Sequence, residues 1–83
     1  MVYAKFYSKL DDLETIIILP VVHFDHQIGY VQRDIGPSLI SLEDDEIEEL
    51  YGDFRGYISD YALAAEIDKL KQWESPTKKL LIR

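Results

Sequence analysis

Residues 41–54 read S-L-E-D-D-E-I-E-E-L-Y-G-D-F, and the change of period inside them decides the fold. Upstream, apolar residues alternate. Within this stretch Ile47, Leu50, Tyr51 and Phe54 recur at intervals of 3, 1 and 3. At about 100° per residue those four share one stripe of a helix. Ser41 stands as an N-cap, and Asp44 holds the acidic position of a capping box. Asp44, Asp45, Glu48 and Glu49 fall on the opposite side, so the spacing predicts an amphipathic helix with an acidic outer face. Glu43 and Glu46 lie nearer the apolar stripe and serve the helix start, where the dipole favours anions.

Before this helix the pattern is β. Val2, Ala4 and Phe6 alternate with Tyr3, Lys5 and Tyr7, which predicts a half-buried strand. Ser8 to Leu13 is a polar connection. Thr15 to Phe24 is rich in β-branched residues and reads as a second strand. Pro20 inside it has no backbone N–H, so the strand is expected to bend or split there. Asp25-His26-Gln27 turns the chain, Ile28 to Gln32 forms a third strand, and Asp34 to Ser38 is a loop.

Beyond the helix, Gly52 and Gly56 each disfavour helical continuation by about 1 kcal/mol against Ala. A break is expected before Ser59. Ser59 or Asp60 then caps a second helix running to about Trp73, with Leu63, Ile67 and Leu70 as its stripe. Lys69 and Lys71 suit its C-terminal dipole, and Ser75-Pro76 ends it. Lys79 to Ile82 is a final strand. The expectation is one α+β domain over residues 1–83, ordered β-β-β-α-α-β. A mainly antiparallel sheet would carry both helices on one face. Ile47, Leu50, Phe54, Leu63, Ile67 and Leu70 would pack on Val2, Phe6, Ile16, Ile18 and Val22, with Trp73 closing one end.

Eighty-three residues with 47% hydrophobic content suit a single globular domain and are too apolar for a disordered acidic tail. Cysteine is absent, which removes disulfides and thiolate ligands and favours a cytoplasmic setting. The first ten residues lack the apolar core of a signal peptide. The longest apolar run, Ile16 to Val22, falls far short of the roughly 20 residues of a membrane-spanning helix.

The chain carries 16 acids and 9 bases. Six of the acids lie between Glu43 and Glu49, and removing them leaves 10 against 9, a net charge of −1 instead of −7. The acidity is therefore local. As a solvated face it keeps a small domain soluble. Yet the like-charge pairs Asp44–Glu48 and Asp45–Glu49 disfavour a helix by roughly 0.2–0.5 kcal/mol each. No base lies between Arg33 and Arg55 to relieve them. Six charges over about 10 Å of helix approach the charge density of duplex DNA, one per about 1.7 Å. At the other end Lys69, Lys71, Lys78, Lys79 and Arg83 face Glu74 alone, so the chain has a basic C-terminal end. Tyr3, Lys5 and Tyr7 would suit base stacking on a single strand, but the net charge opposes it.

His23, Asp25 and His26 offer three N/O donors, a minimal metal set. A polar hairpin turn is the ordinary explanation of them, metal sites usually drawing on a second segment, and no metal or other cofactor is expected. There is no Cys nucleophile, no G-x-S-x-G and no phosphate-binding glycine motif, so no catalytic residue is assigned.

Glu46 to Asp60 resembles the entering helix and loop of an EF-hand, with Gly56 to Ser59 matching the central glycine and the isoleucine that follows. The register puts ligand positions on Tyr51, Asp53, Arg55 and Ala62, of which Asp53 alone offers a suitable oxygen. A calcium function is not carried over.

The resulting expectation is a non-catalytic protein-binding module. It would dock its acidic helix on the basic, nucleic-acid-binding surface of a partner protein, as an inhibitor or an immunity- or antitoxin-like protein does. Direct nucleic-acid or membrane binding is not expected. The expected contacts are Asp44, Asp45, Glu48 and Glu49, with Tyr51 and Asp53 at the rim. The alternative is a structural subunit held in a larger assembly by apolar strand edges.

Overall fold

The computed structural model describes residues 1–83. Its elements are β1 (Val2–Leu10), β2 (Leu13–Val21), β3 (His23–Asp25), β4 (Ile28–Gln32), β5 (Leu39–Ser41), α1 (Glu46–Tyr51), β6 (Asp53–Ser59), α2 (Asp60–Trp73) and β7 (Lys78–Ile82). β1 and β2 form an antiparallel hairpin from Val2↔Val21 to Leu10↔Leu13. Asp11 closes it at φ +54°, a left-handed geometry that a short polar side chain tolerates. β6 joins β1 antiparallel and β7 joins β2 parallel, giving a sheet of order β6-β1-β2-β7. A second, antiparallel sheet has the order β3-β4-β5.

The four-stranded sheet is the middle layer. On one face Ala4, Phe6, Ile17, Leu19 and Val21 pack against Val31, Ile40, Leu42, Ile47 and Tyr51 of the small sheet, the turn after it and α1. On the other, Ile16, Ile18 and Ile58 pack against Leu70, with Tyr3, Tyr7, Leu63, Ile67 and Trp73 around them. This explains the unbroken apolar run Ile16 to Leu19, all buried. A strand covered on both faces has no solvent side to mark with polar residues. Each such side chain contributes about 1.5–3 kcal/mol by burial.

The α+β class, the largely antiparallel pairing and the C-terminal strand stand as read from the sequence. Several details differ. The two helices lie on opposite faces of the four-stranded sheet, not together. The register Phe6↔Ile17 sets Ile16 and Ile18 on the face away from Phe6. Thr15–Phe24 does divide into two strands, but at Val22 and not at Pro20. The Arg83 N–H donates to the Ile18 carbonyl and the Val22 N–H to the Tyr30 carbonyl. Residues 18, 20 and 22 thus share the outer edge of β2. Pro20 falls in the gap between β7 and β4, where no donor is needed. Val22 is exposed.

The largest difference is β6. The interval expected to break the helices is a seven-residue edge strand. Its pairing runs Tyr7↔Asp53 and Phe6↔Phe54, then Ala4↔Tyr57, so Arg55 and Gly56 together oppose Lys5. This β-bulge sets Phe54 and Tyr57, three residues apart, on one face and so imitates helical spacing. Because residues 53–59 are a strand, the EF-hand resemblance does not hold.

α1 is accordingly short. Ser41 ends β5 and its Oγ accepts from the Glu43 N–H, while Asp44 Oδ1 accepts from the Glu46 N–H. The helix stops where the Gly52 N–H reaches the Glu48 carbonyl. Gly52 has φ +100°, and a Cβ there would lie 2.5 Å from the Tyr7 carbonyl oxygen. Leu50, expected in the core, is exposed on this one-and-a-half-turn helix. α2 matches its expected span and is capped by Ser59 Oγ, which accepts from the Ala62 N–H at 3.4 Å.

Candidate functional site

The turn after β5 and the start of α1 hold Asp44, Asp45 and Glu48 around a depression of about 420 Å³ floored by Leu42, Ile47 and Phe54. Ile47 anchors α1 in the core, which forces its neighbouring acids outward. Arg33 Nη1 neutralises Glu46 at 2.9 Å. Asp44, Asp45, Glu48 and Glu49 have no cationic partner. Of the four expected contacts, Asp44, Asp45 and Glu48 therefore converge, and Glu49 is exposed outside the depression.

Tyr51 requires correction. It is 3% exposed and belongs to the core, not to a rim. Its ring lies 5.4 Å from that of Phe6, and its hydroxyl donates to the Gln32 carbonyl at 3.3 Å. Asp53 is exposed, but its partner is Tyr7, so its side chain shares the Tyr7 face and not that of Phe54. It stands 3.8 Å from Arg55 and borders a separate depression with Glu48, Ser8 and Lys9.

Burial pushes the Tyr51 hydroxyl above its ordinary range, and the nearby Asp34 charge adds to this. Tyr7 is raised as well, first by its hydrogen bond to Glu14. A tyrosine raised in the folded state stabilises fully below its unfolded value of about 10, and that contribution is lost as pH rises through the folded value. Urea midpoints are therefore expected to fall above about pH 10. Tyr51→Phe should flatten that fall without abolishing it, since Tyr7 still titrates. An unchanged slope in Tyr51→Phe would show that Tyr51 is not the group responsible.

The sequence reading missed the aromatic part of the site. From the depression a row of rings runs along β6 to β3, with Phe54 5.1 Å from Tyr57 and Tyr57 5.7 Å from Phe24. These three are 37%, 45% and 45% exposed. Tyr57 is held in place because its hydroxyl accepts the Gly29 N–H at 3.2 Å. The available signal was Phe54-x-x-Tyr57 at a spacing that a helix would also produce, and Phe24 in an otherwise polar turn.

The other candidates do not assemble. His23 packs against the Tyr30 ring, Asp25 lies 3.4 Å from His26 Nε2, and no three His, Asp or Glu side chains are placed to hold one metal ion. The Tyr3, Lys5 and Tyr7 face lies under α2, with Lys5 Nζ 2.7 Å from Glu66. The basic C-terminal end is partly neutralised, since Arg83 pairs with Asp34 and Lys78 lies 4.0 Å from Glu14. No helix is long and apolar enough to cross a membrane. No protein-family model matches the chain, and no curated protein or solved structure shows significant similarity to it.

Proposed function

We propose that this chain is a non-catalytic protein-binding module that docks its acidic groove on a basic surface of a partner protein. The nucleic-acid-binding face of an enzyme is the natural target, which would make the chain an inhibitor of the immunity or antitoxin kind. The observation that supports this most directly is the convergence of Asp44, Asp45 and Glu48, none with a cation, around the exposed ring of Phe54. Unneutralised carboxylates steer a cationic partner from a distance. An adjacent aromatic face adds about 0.5–2 kcal/mol for each Lys or Arg laid over it.

The test is capture from native lysate at low salt. Wild type is compared with Asp44→Lys, Asp45→Lys, Glu48→Lys and Glu49→Lys combined. A partner retained by wild type, lost in the variant and released by raised salt is the expected result. An unchanged set of partners would return the acids to a solubilising role. A second proposal, a subunit held by apolar strand edges, draws on the exposed Leu81 and Ile82 of β7 and the ring row of β6. It predicts partners that persist through high salt.

A further inference from the structure

The two edges of the four-stranded sheet differ. On β7, Glu74 Oε2 accepts the Leu80 N–H at 3.4 Å, and Lys78 and Lys79 lie along the strand. Capped donors and lysines are the ordinary protection of a strand edge. β6 has no lysine and no such cap.

The pairing fixes which β6 groups are free. Leu10↔Leu13 closes a two-residue hairpin loop, so it is a hydrogen-bonded pair. Alternation then turns the backbone groups of Tyr3 and Tyr7 toward β6, where they meet Ile58 and Asp53. The N–H and C=O of Phe54 and Tyr57 consequently point outward, and no other strand lies beyond them. The same two residues carry the rings of the exposed row, with Asp44, Asp45 and Glu48 at its Phe54 end. The bulge at Arg55 and Gly56 sharpens the twist, which discourages long flat pairing with a second copy and limits any guest to a short strand.

The geometry points to strand addition on β6. A short extended segment of the partner, apolar at alternate positions and carrying a Lys or Arg on that same face at its end, pairs with the open backbone of Phe54 and Tyr57. Its apolar side chains cover the rings of Phe54, Tyr57 and Phe24, and the cation in phase with them at the Phe54 end enters the acidic groove. Backbone pairing supplies affinity, and the flanking side chains supply the choice of sequence. The negative charge at the row's end selects a basic guest over an acidic one. This inference rests on the acidic-groove docking proposed above and adds its mode.

The probe is a labelled Lys-Thr-Val-Thr-Val-Thr-Lys peptide, whose two valines and terminal lysines share one face of the strand, measured by titration and by the amide signals of the full chain. The expected result is saturable binding with shifted, exchange-protected Phe54 and Tyr57 amides. Affinity should fall about tenfold or more when three successive central residues are N-methylated, so that neither edge can donate. It should fall similarly in the Asp45→Lys, Glu48→Lys double variant. Equal binding of the N-methylated peptide, with the charge effect intact, overturns strand addition and leaves acidic-groove docking standing. Binding indifferent to the double variant overturns both. No binding to wild type overturns the strand-addition mode.

Discussion

Gly52→Ala is expected to lose about 2–6 kcal/mol of folding stability, a large share of what a domain of this size holds. Two effects add. At φ +100° any L side chain is strained by about 1–3 kcal/mol. The new Cβ would also sit 2.5 Å from the Tyr7 carbonyl oxygen and 2.8 Å from Ser8 Cβ. Those are atoms of the central hairpin, and moving them disturbs β1 for roughly another 1–3 kcal/mol. Gly56→Ala separates the two, because Gly56 has φ +114° but no atom within 4 Å of its would-be Cβ. It should lose the strain alone, about 1–3 kcal/mol. Equal losses in urea titrations of the two variants would show that the close approach of α1 to β1 does not matter.

Phe6→Ala is expected to lose about 3–5 kcal/mol by leaving a cavity in the middle of the larger core. The ring is fully buried and lies 5.4 Å from Tyr51 and 5.9 Å from Phe54. It therefore joins the base of α1 to the exposed ring row. Phe54→Ala removes a ring that is 37% exposed and should lose much less stability while weakening partner capture. A loss under about 1.5 kcal/mol for Phe6→Ala would mean that the surrounding elements collapse into the space.

The parts of the fold that were legible had local causes. Val2–Tyr7 alternates because its two faces meet different layers, and Ser59 marks the start of α2 with its own side chain. Ile28–Gln32 lies between a turn and a loop that both declare themselves, and its bounds match β4. What was illegible depends on distant partners. Nothing in Asp53–Ser59 alternates, because a bulge opposite Lys5 shifts the phase by one residue. Leu39–Ser41 is a strand by virtue of β4 beside it. The assignment of helices to faces hangs on the register Phe6↔Ile17, set by the hairpin and not by any helix residue.

The site divided the same way. That the acids face outward follows from Ile47 alone. That Tyr51 faces inward follows from its place four residues after Ile47, one helical turn along the same stripe, and the exposure of Leu50 narrows that stripe to these two residues. The row Phe24, Tyr57 and Phe54 joins two sheets, and no reading along one segment could assemble it.

The parallel pairing of β7 bears on how this chain acquires its shape. Glu14 pairs with Lys78, 64 residues later, and such distant pairings slow folding because the intervening chain must be ordered first. Until β7 docks, the outer backbone of residues 14–18 stays open. Until α2 packs, Ile16 and Ile18 face solvent. The N-terminal hairpin is therefore a template that waits for its cover, and the interval before closure is when this chain is most open to aggregation. Refolding yield should fall with protein concentration more steeply when β7 is weakened, as by Leu80→Ala, than when β5 is weakened by Leu39→Ala.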